Sequence, residues 1–312
     1  MVDSKLLGAE AVALEPPFRY AILLNAGSFF LLLDAFTKLL ADPRVFMDQG
    51  DPKLESRTPA KLASLPAHVD SALHSDPEKS HTFASPNCPT RKQYAHLLVR
   101  LAVRGIAMHE LAHVVQGHLL LEPREELRPL DWRTLEYAAD MYAVGRMAEH
   151  AWHEVHVSRV VPGMQNENDA LLVTLRALFL SHYFAEECFA PTGKDETTRT
   201  HLLARERQEL AAWGFPIAWS SVKKTKAQLP FDLSDVWLEC ERGVHTIRTG
   251  HTDLEYIKRF FLTSDERTLH MQNWQEILRP RLETLSFAGL FTVGPTDDSK
   301  YGDIALPRRR RH

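Results

Sequence analysis

The residues His109-Glu110-Leu111-Ala112-His113 place two imidazoles four positions apart with a carboxylate between them. At 3.6 residues per turn, side chains at i and i+4 stand almost above one another on a helix, so His109 and His113 can both point at one cation. Glu110 lies on the flank of that face, close enough to take a proton from a metal-bound water without ligating the metal. Zinc suits such a set, because it accepts imidazole nitrogen and carboxylate oxygen and in catalytic sites usually keeps three protein ligands plus water. A chain of this composition produces His-Glu-x-x-His by chance roughly 6% of the time, so the spacing carries weight only in context. That context is a run of apolar residues at helical spacing around it, with no proline from Arg91 to Glu122. Polar groups on a buried helix need partners.

Two histidines leave the ligand set incomplete. On a continuous helix His118 lies about 180° from His109, facing away from the metal. It also misses the metzincin spacing, in which the third histidine would stand at position 119, here Leu119. Glu136 is the better third ligand. It sits in a helical segment from Asp131 to His156 with a plausible N-cap at Asp131, and Asp140, one turn beyond it, can accept the second N–H of a ligating histidine and fix its tautomer. The alternative is that Glu136 and Asp140 are exposed carboxylates on an amphipathic helix.

His109-Glu-Leu-Ala-His113 followed by Glu136-x-x-Ala139-Asp140 resembles the gluzincin zinc metallopeptidases, particularly the CAAX-protease and HtpX-like enzymes and their soluble bacterial relatives, with a suggested kinship to the phage-exclusion Lit-type peptidases. His118 is common at its position in those relatives. Thr200-His201, with Arg207 six residues on, resembles their Thr-His-Pro-x-x-x-x-Arg segment, although Leu202 replaces the proline. The resemblance covers roughly residues 90 to 215. It implies one Zn2+ per chain held by His109, His113 and Glu136, with Asp140 supporting a ligand, and Glu110 as general base in peptide-bond hydrolysis. It also implies His201 as a donor to the oxyanion. Tyr183 and Tyr142 stand in reserve for that contact, and Arg207 for substrate.

Other polar clusters carry less. His150, His153 and His156 fan over about 120° and climb roughly 9 Å of helix, too far to share a cation, and suit a solvated helix end. Glu186-Glu187 beside Cys188 has no ligand-like spacing and is taken as surface.

The elements that must position these residues are expected to be mainly α, a zincin-like helical core with little or no β-sheet. Helices are predicted over roughly 90–121, 131–157, 166–188, 197–213, 229–241, 253–262 and 274–285, with Val244 to Ile247 the best strand candidate. No sheet edge that would hold an extended peptide can be identified. The domain plan is a buried helix within 1–40, a proline-rich excursion at 41–89 holding seven of the 18 prolines, the metallopeptidase core at 90–215, and a helical subdomain at 216–312. That subdomain ends in the basic tail Arg308-Arg309-Arg310-Arg311-His312.

The chain of 312 residues is 44% hydrophobic and 25% charged, with a net charge of −4, which gives no general attraction to nucleic acid. Cys88, Cys188 and Cys240 are few and unpatterned, as in a reducing compartment. There is no secretory signal, and the apolar run Tyr20 to Leu33 is too short and interrupted to span a membrane, so a buried helix continuing to Leu40 is expected. These features point to a cytoplasmic protein, unlike the membrane-embedded CAAX-protease and HtpX-like enzymes, whose substrates are not inherited. The functions left open are an endopeptidase acting on a protein substrate, a zinc hydrolase of a non-peptide amide or small molecule, and a catalytically silent metal-binding module. The oligomeric state is left open.

Overall fold

A computed structural model describes residues 9–14, 20–24, 26–56, 85–121, 127–189, 201–224, 229–251 and 264–285. The architecture is mainly helical, as expected, with one small hairpin. Strand β1 (Ala9–Ala13) pairs antiparallel with β2 (Tyr20–Leu24), Ala9 opposite Leu24. The helices that follow are α1 (Ala26–Ala41), α2 (Pro89–Val115), α3 (Pro129–His153), α4 (Glu167–Phe189), α5 (Ala204–Lys223) and α6 (Leu233–Thr249). The last are α7 (Ser264–Asn273) and α8 (Arg279–Leu285), joined by a wide helical turn at Trp274–Leu278. Among the described residues no helix is long and apolar enough to cross a membrane.

The hairpin corrects the expectation of one helix from Tyr20 to Leu40. That apolar run divides, with Tyr20–Leu24 a strand and Ala26–Ala41 the helix α1. All five residues of β2 are half-buried, so the strand shows no alternation of exposed and buried positions that the sequence could display. Val244 to Ile247, expected as a strand, lies inside α6, where Val244 and Ile247, three apart, are both buried on one helical face. α5 runs on past the expected end at residue 213, through Gly214 and Pro216, to Lys223. A Cβ on Gly214 would meet Met141 Cε at 2.8 Å, so the glycine permits close approach to α3, while Phe215 and Trp219 are buried. That packing outweighs the hydrogen bond which Pro216 cannot donate. The predicted helix 253–262 and the basic tail lie outside the described residues.

One core spans most of the helices. Phe36 and Leu39 from α1, Leu98 from α2, Met147 from α3, Phe179 from α4 and Trp219 from α5 are all fully buried within it. α2 is the central helix, packed against α1, α3, α4 and the hairpin. Its start is anchored by Arg91, which is fully buried and donates to the carbonyls of Leu40, Asp42, Val45, Phe46 and Gln49. One guanidinium thus folds the described part of the proline-rich segment onto the beginning of α2, and it satisfies carbonyls that a buried loop would otherwise leave unpaired. A smaller cluster of Leu121, Leu135, Trp274, Leu278 and Leu282 packs the last helical stretch against α3 and the turn that follows α2.

Candidate metal centre

α2 and α3 meet through small residues at the height of the metal motif. Ala112, one residue before His113, and Ala139, one residue before Asp140, are both fully buried and belong to one cluster. With only methyl groups between them the two backbones approach closely, and the longer polar side chains on either side converge. His109 and His113 come from the last two turns of α2, Glu136 and Asp140 from successive turns of α3, and all four are buried.

His109, His113 and Glu136 each offer one ligand atom, and these atoms lie within 4.8 Å of one another. The two Nε2 atoms stand 3.1 Å apart. Glu136 Oε2 is 3.4 Å from His109 Nε2, and Oε1 is 3.6 Å from His113 Nε2. Bonds of about 2.0–2.1 Å at tetrahedral angles separate ligand atoms by about 3.3 Å. The separations are close to that size, each imidazole nitrogen facing a different oxygen of the Glu136 carboxylate, and the donors, two imidazole nitrogens and a carboxylate, are those zinc accepts. The residues present therefore fit a single divalent ion.

The surrounding groups hold the triangle in place. Asp140 Oδ1 lies 2.7 Å from His109 Nδ1, so that Nδ1–H donates to the carboxylate and Nε2 is the nitrogen left to face a cation. Arg207 on α5 donates to Glu136 Oε2 and reaches Asp140 Oδ1 at 3.4 Å, bracing both carboxylates. On the other ring, His113 Nδ1 lies 3.0 Å from His118 Nδ1.

Without a metal, these contacts set the protonation. Burial disfavours charge on His109, but Asp140 and Glu136 outweigh it and push the imidazole up to about 10. Burial and the neighbouring His109 charge lower His113 to about 4. Burial raises the Glu136 and Asp140 carboxylates, yet both end below their ordinary range, Glu136 chiefly through His109 and Asp140 chiefly through Arg207. Glu110 is raised, mainly by burial, although it accepts a hydrogen bond from the Ala11 backbone N–H. A raised carboxylate beside a metal triangle is suited to accepting a proton near neutral pH.

The remaining site candidates are placed as follows. His201 is exposed in the turn leading into α5. Tyr183 accepts a 2.7 Å hydrogen bond from Arg248, which directs its hydroxyl toward α6. Tyr142 is buried against Ala112 and Ala139, with the Arg146 guanidinium 5.0 Å from its ring centre. Arg207 spans Glu136 and Asp140. His150, His153 and His156 each have their own neighbours, namely Arg104, Ser158 and Glu167. They do not converge on one point. The side chains of Glu186, Glu187 and Cys188 lie outside the described residues.

Three features escaped the sequence reading. α3 begins at Pro129, and Asp131, taken as the N-cap, instead accepts the backbone N–H of Arg128 from the third helical position. His118 does not point away, because α2 stops at Val115 and Gly117, with φ of 76°, turns the chain back so that His118 packs against His113. A glycine just past an apolar helical run is a stop signal, and Gly117 carried it. His182 on α4 is the third: burial lowers it to about 4, and Asp140, Arg207 and His109 all act on it. Its Nε2 has no hydrogen-bond partner among the described residues. Nothing in its spacing to the motif marks it.

A scan against models of known protein families and searches of curated proteins and of solved structures find no match to this chain.

Proposed function

We propose that this chain is a zinc-dependent hydrolase, and within that class an endopeptidase acting on a protein substrate. The observation that carries the reading is the buried group of His109, His113 and Glu136, whose ligand atoms lie within 4.8 Å of one another, with the carboxyl group of Glu110 acted on by the His109 and Glu136 charges. Zinc in such a site lowers the pKa of a coordinated water toward ~7 and polarises a carbonyl. Glu110 accepts the proton released as the carbonyl is attacked and returns it to the leaving amine. Asp140 holds the tautomer of His109, and Arg207 holds Glu136 in its ligating orientation. Either of two imidazoles, the exposed His201 of the Thr200-His201 segment or the buried His182, supplies the donor to the oxyanion. The hairpin bears on a peptide substrate in that it brings an extended backbone, β1, against Glu110.

The reading without catalysis has one observation in its favour, the Ala11 N–H already bound to the base. Comparison of newly formed protein N-termini in a lysate treated with wild type or with Glu110→Gln separates the two. Products unique to wild type, with zinc content equal in both proteins, support the endopeptidase. Loss of the base is expected to slow turnover about 10²–10⁴-fold. Identical N-termini in the two samples would remove the peptidase and leave a hydrolase of a non-peptide substrate or a metal-binding module.

A further inference from the structure

His118 is an imidazole with no exposed surface, held in a position that an aliphatic side chain would fill at lower cost unless its nitrogens were used. Its Nδ1 stands 3.0 Å from His113 Nδ1, with the rings crossed at 79° and their centres 4.9 Å apart. Its Nε2 is buried without a hydrogen-bond partner among the described residues. The indole of Trp274 lies beyond it, ring centres 5.7 Å apart and planes at 71°.

Two imidazole nitrogens at hydrogen-bond distance need one proton between them. If His113 offers Nε2 to a cation, its proton sits on Nδ1 and is donated to His118, whose Nδ1 must then be the bare acceptor. The proton of His118 is left on Nε2, the nitrogen that is buried without a hydrogen-bond partner among the described residues. The opposite arrangement, His118 protonated on Nδ1, would move the proton of His113 to Nε2 and block the lone pair aimed at the metal.

We propose that His118 is a positioning residue for the metal centre: by accepting the Nδ1–H of His113 it fixes the tautomer that presents Nε2 to the ion, with Trp274 holding it in place. The two ligating imidazoles are thus oriented by different partners, His109 by a carboxylate and His113 by a neutral ring. Through Trp274 the contact ties the stretch from α7 to α8 to the turn that follows α2. This inference rests on the zinc reading of the triangle.

Two measurements on the full chain test it. Long-range ¹H–¹⁵N NMR of the metal-free protein reads the tautomers directly, and is expected to show His113 protonated on Nδ1 and His118 on Nε2. Zinc affinity measured by competition with a chelator is expected to fall about 10–100-fold in His118→Leu, the usual cost of losing such a partner, and to stay within about threefold in His118→Asn, whose side-chain oxygen can accept the same N–H. A proton on His113 Nε2 would overturn the proposal, as would His118→Leu binding zinc like wild type, or His118→Asn falling as far as His118→Leu. If His118→Leu does not fold, the NMR arm on the wild-type chain decides. Failure of wild type to take up zinc would instead overturn the metal centre itself.

Discussion

Zinc binding is expected to expel a proton from a site that, by its histidine count alone, would be mostly neutral above pH 7. In the metal-free protein His109 is held up to about 10 by Asp140 and Glu136, while His113 is lowered to about 4, so at pH 6 one of the two ligating rings is charged and the other is not. A cation at Nε2 must displace the proton of His109 there, whereas its Nδ1–H stays on Asp140. Each pKa unit is worth about 1.36 kcal/mol, so the three units between pH 7 and about 10 weaken zinc binding by roughly 4 kcal/mol relative to a site already deprotonated. The sign follows: affinity rises with pH, by about tenfold per unit while His109 is the group that gives up its proton. Isothermal titration calorimetry of zinc binding in buffers of different ionisation enthalpy counts the protons. At pH 6 the count should be near one, and it should climb toward two above pH 7 as a coordinated water ionises with its pKa of ~7. A count near zero at pH 6, or an affinity flat between pH 5.5 and 6.5, would refute the coupling of His109 to Asp140 as the source of the site's charge.

Two further outcomes follow from the geometry. Arg207→Met leaves the buried carboxylates of Glu136 and Asp140 with His109 as their remaining shared cation, and urea unfolding of the metal-free protein should show a loss below the about 3–5 kcal/mol of a fully uncompensated buried pair, much of it recovered when zinc is added. Gly117→Ala places a side chain at φ of 76°, which should cost about 1–2 kcal/mol of stability by the same assay; a neutral result would show that the turn returning His118 to His113 does not require the left-handed conformation.

What the sequence revealed depended on period and spacing. The i, i+4 pairs His109/His113 and Glu136/Asp140 need only the helical repeat to be recognised, and the helices that carry them were legible for the same reason. The split of the Tyr20–Leu33 run into strand and helix was not legible, because a strand half-buried on both faces has no alternation to read. α5 was cut short at residue 213 by a local rule that packing around Gly214, Phe215 and Trp219 overrides. His118 was misplaced because a continuous helix was assumed through Gly117. His182 reaches the site only through the packing of α4 against its neighbours, and a contact between distant segments leaves no trace in spacing.

X-ray absorption at the zinc edge, on purified protein with one metal per chain, tests the central claim most directly. Two imidazoles and a carboxylate should appear as a shell of nitrogen and oxygen at about 2.0–2.1 Å with the outer-shell scattering of two rings, and His113→Ala should remove one ring. A sulfur shell near 2.3 Å, or a protein that retains no zinc after dialysis, would contradict a centre built from His109, His113 and Glu136.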